Sequence, residues 1–241
     1  FVLGVPPPVS PTVVVTGDKI TVNLGIGSST YDRAFADPTV FDSLLASVSR
    51  EVSAVTGKRT RIGRLTLVGF SAGHGAIRAI LREPRHFASV DAVLLLDGMH
   101  TSYVPDGKVV ADGGALDTTN LVAFADFARA AVRGEKRFVI THSEIFPGTF
   151  ASTTETADWL LRALGLRRAP VLRWGPRGMQ QLSEVRAGAG LTRVDLAGEQ
   201  VLVDVAIELD GRADVSRIHV VAAVDLPGDL ARRLEGPQHL R

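Results

Sequence analysis

The residues best suited to chemistry lie in the turn at residues 69 to 73, Gly-Phe-Ser-Ala-Gly, which follows the apolar run at residues 65 to 68. A serine on a sharp strand-to-helix turn is held in a strained backbone conformation, with its hydroxyl clear of the sheet. Glycines beside it remove Cβ atoms that would clash with the neighbouring strand or helix. The N–H of Ala72, at the start of the predicted helix, is placed to donate to an oxyanion. The pattern predicts Ser71 as a nucleophile; the alternative is a glycine-rich turn that only packs tightly.

Two further residues could complete the chemistry of Ser71, because a serine hydroxyl needs a base to accept its proton and an acid to orient that base. Asp97 follows the apolar run at residues 92 to 96, and His142 follows the predicted strand at residues 137 to 141. The carboxyl ends of parallel strands meet at one edge of a sheet, so the three side chains are expected together there. Asp97 is predicted as the acid and His142 as the base. Alternatives remain open for these two roles: Glu144, His219 and His239.

The other histidines are assigned lesser roles. His74 lies on the helix that follows Ser71, where it would line a pocket but is too close along the chain to act as the base. His86 follows Pro84 and is predicted at the surface. His100 lies in the loop after Asp97 and receives no role from the pattern.

Four helices are predicted by apolar residues at helical spacing between start and stop signals. The first begins at Asp37-Pro38 and ends at Gly57, and the second runs from the serine turn to Pro84. The third follows residues 117 to 119 and ends at Gly134. The fourth begins at the capping box of residues 152 to 155 and closes at Gly165. Helices that alternate with short apolar strands predict an α/β fold, with a doubly wound, mostly parallel sheet and helices on both faces.

The two ends of the chain are predicted to be richer in strands. Residues 13 to 15 and 19 to 24 are expected as a hairpin or as two successive strands, followed at residues 25 to 29 by a plain turn with no helix directly after it. Near the other end, strands are predicted at residues 171 to 174 and 191 to 196, with a loop around a short helix between them. Alternation at residues 200 to 209 and 216 to 224 predicts an antiparallel C-terminal hairpin.

The domain organisation is predicted to be a single domain over residues 1 to 241. It would include a proline-rich lead-in at residues 1 to 12 and a β-rich extension at residues 191 to 241. Because the first residue is Phe1 rather than Met, the chain is expected to be a processed product or a fragment. The alternating tail could pair with a second copy, so both a monomer and a homodimer are expected states.

The composition excludes several classes of function. The chain has 241 residues, 45% of them hydrophobic, and a net charge of +1, which gives no broad field for nucleic acid or an anionic membrane. It contains no cysteine, so disulfides, thiol catalysis and thiolate metal sites are excluded. No apolar run is long enough to span a bilayer. Nucleotide-binding motifs and metal-ligand spacing are also absent from the sequence, and no cofactor or metal is expected.

The serine turn and its strand–helix surroundings, over roughly residues 19 to 165, resemble the nucleophile elbow of the α/β-hydrolase superfamily. This resemblance implies a serine hydrolase that cleaves an ester, or an amide, through an acyl-enzyme on Ser71. A carboxylic ester is the default substrate, and a non-catalytic or truncated hydrolase-like binding protein is the alternative. The family order of serine, acid and histidine agrees with Asp97, an uncommon position for the acid, and with Glu144, the usual one.

Two departures from the family pattern concern the base and the oxyanion site. The family places its histidine after the last strand, whereas no histidine follows residues 191 to 196 until His219. A second oxyanion donor normally comes from a glycine-rich loop and a strand near the start of the fold. In this chain the N–H of Gly25, or of the following Ile26 or Gly27, would replace it.

Overall fold

The computed structural model describes residues 12–16, 19–24, 27–59, 61–143, 145–174, 180–187, 191–197 and 218–222. In these ranges the helices are α1 (Ser28–Ala34), α2 (Pro38–Thr56), α3 (His74–Arg82), α4 (Pro84–Ser89), α5 (Val122–Val132) and α6 (Thr153–Ala163). The strands are β1 (Thr12–Thr16), β2 (Lys19–Asn23), β3 (Leu65–Phe70), β4 (Ala92–Leu96), β5 (Tyr103–Val104), β6 (Ala115–Leu116), β7 (Arg137–Ser143), β8 (Ala169–Trp174), β9 (Gln180–Ala187), β10 (Leu191–Ala197) and β11 (Ile218–Ala222).

Three parallel strands, β3, β4 and β7, form the centre of the sheet. Their register places Leu67 opposite Val93 and Val93 opposite Phe138, and all three side chains are buried. The ring of Phe138 packs on Phe127 of α5, with centroids 6.3 Å apart. Because β3, β4 and β7 are short apolar runs covered by helices, the prediction of a mixed α/β fold with a parallel sheet is confirmed.

The outer strands extend this centre on both sides. The sheet order is β1-β2-β11-β3-β4-β7-β10-β9-β8, and β5 pairs separately with β6. Strand β8 pairs antiparallel with β9, β9 pairs antiparallel with β10, and β10 pairs parallel with β7. The predicted C-terminal hairpin lay further along the chain, at residues 200 to 209 and 216 to 224. Of that hairpin, residues 218 to 222 form β11, which pairs parallel with both β2 and β3. The other predicted strand of that hairpin, residues 200 to 209, lies outside the described residues.

The helices that carry strong end signals occur where the sequence places them. Asp37 caps α2 by accepting the Thr39 N–H at 2.9 Å, and Gly57 ends that helix with φ 65°. Ser152 and Glu155 form the reciprocal capping box of α6. Both signals are local hydrogen-bonding devices, which explains why the sequence alone identifies them.

Three expectations about local structure were wrong, and one helix was not expected. Helix α1 follows the Gly-rich turn directly, and its Gly27 N-cap makes no side-chain hydrogen bond that would signal its start. Pro84 ends α3 as predicted but also begins α4, because proline suits the first turn of a helix. Strand β9 replaces the predicted loop and short helix, since its pairing with β8 and β10 outweighs a polar sequence. His86, expected at the surface, is buried; its Nε2–H donates to Asp42 Oδ1 at 2.8 Å, and its ring packs on that of Phe41.

Helix α3 crosses α1 at very close range. A Cβ on Gly75 would lie 2.1 Å from the carbonyl oxygen of Ser28, so this position admits only glycine unless the backbone moves. Arg78 of α3 also pairs with Asp32 of α1 at 2.7 Å. The missed helix α1 therefore fixes the helix on which the serine turn ends.

Candidate active site

The serine turn joins the end of β3 to the start of α3. Ser71 has φ 44°, in the left-handed region that side chains rarely adopt. It begins a short 3₁₀ turn, Ser71–Gly73, that continues directly into α3. A Cβ on Gly69 would lie 3.2 Å from the backbone of both Gly73 and His74, so the turn closes tightly onto the end of β3. Ala72, whose N–H is the predicted oxyanion donor, is half-buried in the middle of this turn.

The sheet register places the three predicted site residues in one row. Phe70 lies opposite Leu96, and Leu96 lies opposite Thr141. Ser71 and Asp97 are the first residues beyond β3 and β4, whereas His142 lies within β7, which continues to Ser143 instead of ending at the predicted Thr141. The three residues nevertheless lie at the same level of the sheet. Neighbouring strands are about 4.8 Å apart, which puts the backbone of His142 about 10 Å from that of Ser71 with Asp97 between them.

Asp97 is held from both its backbone and its side chain. Its φ of 45° nearly repeats the value at Ser71. Its N–H donates to the carbonyl of Thr141 at 3.1 Å, across to β7. Its Oδ1 accepts the hydroxyl of Thr153 at 2.6 Å. The carboxylate is thus fixed at the first turn of α6, where the partial positive charge of the helix end favours an anion.

His142 is buried and bound to the same helix turn. Only 1% of the residue is exposed, and its Nδ1 lies 2.9 Å from the hydroxyl of Thr154. Thr153 and Thr154 are the first two residues of α6, so one helix end holds both the predicted acid and the predicted base. The structure brings Asp97 and His142 to this common element and keeps the His142 ring bonded to Thr154.

The start of α6 is also tied to the loop that follows β4. The N–H of Ala151 donates to the carbonyl of Thr101 at 2.9 Å. The hydroxyl of Tyr103 donates to Oε2 of Glu155 at 2.8 Å, and burial together with this carboxylate raises the pKa of Tyr103 to about 12. Tyr103 is therefore a neutral hydrogen-bond donor at ordinary pH, and it braces the helix end that holds Asp97.

Two histidines to which the sequence gave no catalytic role lie at the serine turn. His74 is buried, and its Nδ1 lies 2.8 Å from the carbonyl oxygen of Ser71. Because a carbonyl only accepts, Nδ1 carries the proton and Nε2 is an acceptor; this Nε2 is buried without a hydrogen-bond partner. Burial, with the neighbouring His100 as a second cause, lowers the pKa of His74 to about 3. His74 is therefore a neutral structural support of the turn.

His100 stands beside His74 and is only half-buried. The two rings are 5.6 Å apart, and the Nδ1–H of His100 donates to the carbonyl of Ala151 at 3.1 Å. The exposed ring of Phe150 packs edge-on against the other side of His100, with centroids 4.9 Å apart. In the sequence, the only sign that His100 could belong to the site is that it closely follows Asp97. This proximity along the chain does not show that the loop returns to the serine turn.

Of the remaining predicted residues, only His219 lies within the described part of the chain, and it is not in this row. His219 lies in β11 opposite Thr66, near the amino end of the parallel strands, whereas Ser71 follows their carboxyl end. That separation is about 16 Å along the strand direction, so His219 is placed away from Ser71. Gly25, Glu144 and His239 lie outside the described residues.

The described residues contain no group of three or more His, Asp or Glu side chains that could hold a metal ion. In the same part of the chain, no helix is both long and apolar enough to cross a membrane.

Comparisons with protein-family models, with curated proteins and with solved structures found no match to this chain. The function of the protein is therefore inferred from the geometry of the serine turn and its neighbours.

Proposed function

We propose that the protein is a serine hydrolase with an α/β-hydrolase-like, doubly wound fold, and that it cleaves an ester or an amide. The observation that carries the proposal is the conformation of Ser71. A φ of 44° in a non-glycine residue, between a buried parallel strand and a helix, is backbone strain of the kind stored at functional sites. The Gly69 contact supports it, because the strand and helix close on the turn from both sides.

In the proposed reaction the Ser71 hydroxyl attacks the carbonyl carbon of the substrate and gives its proton to a histidine. The N–H of Ala72 donates to the resulting oxyanion, with the N–H of Gly25 as the second donor. The histidine then protonates the leaving alcohol or amine, and water releases the acyl group from Ser71 by the reverse sequence. Asp97 orients the histidine and stabilises its charged form.

The base is proposed to be His142, and the structure adds His100 as its competitor. His142 lies near the carboxyl end of β7. Its backbone is two strands from Ser71, beyond the roughly 3 Å that proton transfer needs unless its ring spans the gap. His100 lies against His74, which contacts the serine turn directly. Its Nδ1–H is fixed by a carbonyl, which leaves Nε2 as the basic nitrogen.

A second candidate is a non-catalytic binding protein on the same fold. The observation that favours it is the burial of His142, whose ring is bonded to Thr154. The hydrolase and the binding protein differ in whether their activity requires the Ser71 hydroxyl. Ser71→Ala abolishes turnover in a hydrolase and leaves ligand binding by a non-catalytic module unchanged.

The deciding experiment is labelling with a fluorophosphonate probe, followed by peptide mapping. The probe reacts with a serine that a base and an oxyanion site have activated. A hydrolase is labelled at Ser71, and Ser71→Ala loses the label together with turnover, by about a thousandfold or more. The variants His142→Ala, His100→Ala, His219→Ala and His239→Ala then identify the base. A folded chain that stays unlabelled at Ser71 would support the binding protein instead.

A further inference from the structure

The segment between β7 and α6 exposes large apolar side chains beside the candidate site. Residues 145 to 150 read Ile-Phe-Pro-Gly-Thr-Phe and contain no charged side chain. Ile145 is 46% exposed, Phe146 57% and Phe150 40%. We call these three side chains the apolar rim. Leaving a large apolar side chain in water is unfavourable, so three such side chains in six residues require an explanation.

Exposure alone does not distinguish this segment. Leu172 and Trp174 of β8 are 76% and 75% exposed, and β8 lies at the edge of the sheet, three strands beyond β7. The rim differs because its Phe150 is joined to Ser71 by a continuous series of contacts. Phe150 packs on His100, and His100 packs on His74. His74 in turn bonds the carbonyl of Ser71.

The rim also leaves the carboxyl end of β7, the edge at which ligands bind in open parallel sheets. Ala151, which directly follows Phe150, accepts a hydrogen bond from His100 and donates one to Thr101. Phe150 is therefore anchored at its backbone while its ring stays partly open. A partly exposed aromatic ring that only His100 and His74 separate from a strained serine is suited to bind the non-reacting part of a substrate.

We infer that the apolar rim binds an uncharged aliphatic or aromatic acyl group, with the substrate carbonyl at Ser71. This inference rests on the proposed hydrolase function and specifies its substrate class. A charged acyl group would lose its hydration against residues 145 to 150 without gaining a partner in that segment. Each methylene of an aliphatic chain that the rim covers adds binding energy instead.

The test compares p-nitrophenyl acetate with p-nitrophenyl octanoate on the full chain. The quantity measured is the ratio of the two kcat/KM values, because a general loss of activity cancels in it. Phe150→Ser and Phe146→Ser are expected to lower the octanoate-to-acetate ratio by about tenfold or more. Leu172→Ser removes an equally apolar exposed side chain on β8 and is expected to leave the ratio unchanged. Phe146 is the more exposed of the two, so its variant tests the inference even where Phe150→Ser fails to fold.

The possible failures can be told apart. Equal ratios in the wild type and both Phe variants, with Ser71 still labelled by the fluorophosphonate, would overturn the apolar rim and leave the hydrolase function standing. A wild-type preference for p-nitrophenyl hemisuccinate over octanoate would overturn it in the same way. If the folded wild-type protein shows neither labelling at Ser71 nor turnover of either ester, the hydrolase function is overturned and this inference with it.

Discussion

The turns after β3 and β4 adopt nearly the same backbone conformation in different surroundings. Ser71 has φ 44° and Asp97 has φ 45°, and each is the first residue beyond its strand. The turn at Ser71 continues directly into α3 and is closed by contacts along the chain, from Gly69 to Gly73 and His74. The turn at Asp97 leads into a loop and is held from outside, by Thr141 and Thr153.

The turn at Ser71 is therefore encoded by residues next to it in the chain, whereas the turn at Asp97 is held by residues that are distant in the chain. Ser71 keeps its conformation because glycine and alanine neighbours let strand and helix approach. Asp97 keeps its conformation because β7 and α6 supply hydrogen bonds from more than 40 residues further along the chain. The serine turn is therefore recognisable as a motif, whereas the aspartate turn is recognisable only in the fold.

The largest expected effect concerns the role of the Asp97 carboxylate. Asp97→Asn keeps the size of the side chain but cannot stabilise a charged histidine, so we expect kcat/KM to fall by about 10² to 10⁴. Ester hydrolysis over pH 5 to 9 measures this loss. Unchanged hydrolysis in a folded Asp97→Asn variant would show that Asp97 has only a structural role.

Thr153 provides the matched control for that comparison. Thr153→Ser keeps the hydroxyl that donates to Asp97, whereas Thr153→Val removes it at almost the same volume. If the distant contact positions the acid, Thr153→Val reduces kcat and shifts the pH profile, while Thr153→Ser restores both. Equal behaviour of the two variants would mean that the hydroxyl is not needed to position Asp97.

The next effect concerns His74, which supports the serine turn. Burial keeps its folded pKa at about 3, below the ordinary value of 6.5. As pH falls below 6.5, His74 becomes protonated in the unfolded chain but stays neutral in the folded chain. The stability contributed by neutral His74 is complete above pH 6.5 and is lost towards pH 3, by at most about 1.4 kcal/mol per pH unit.

Urea unfolding at pH 7, 6 and 5 measures this loss. His74→Gln cannot titrate and keeps an N–H for the Ser71 carbonyl, so its stability should fall less steeply than that of the wild type. Other groups titrate in both proteins, and the difference between the two slopes isolates His74. Parallel slopes would contradict the assignment of His74 as a buried neutral side chain.

The smallest effect compares the strain in the two turns directly. Glycine adopts φ near 45° without cost, so Ser71→Gly should raise the free energy of unfolding by up to about 1 kcal/mol. Asp97→Gly relieves the same strain but loses the Thr153 hydrogen bond, worth about 1 kcal/mol, and should be close to neutral. Ala72→Gly, next in the chain, gains no such relief and should destabilise. Equal stabilisation at both turns would show that the Thr153 hydrogen bond contributes nothing to folding.

The sequence predicted what depends on neighbours along the chain. Helix α2 follows from the Asp37 cap and the Gly57 stop, and the central strands follow from short apolar runs. In each case the physical cause lies within a few residues of the signal.

The missed features depend on contacts between distant segments. The burial of His86 needs Phe41 and Asp42, and the position of His100 needs Ala151 and Phe150. Thr153 and Thr154 were read only as part of a helix start, and their bonds to Asp97 and His142 arise from the way α6 docks on the sheet. A single sequence does not show which segments meet in this way.

The hydrogen bonds between the loop after β4 and the start of α6 have a consequence for local unfolding. Thr101 holds Ala151, and Tyr103 holds Glu155, so neither segment can detach without breaking bonds to the other. Segments coupled in this way open as one cooperative unit with a shared free energy of opening. Motion at this edge would thus release Asp97, Phe150 and the capped helix end together, so that the acid and the apolar rim are either both in place or both absent.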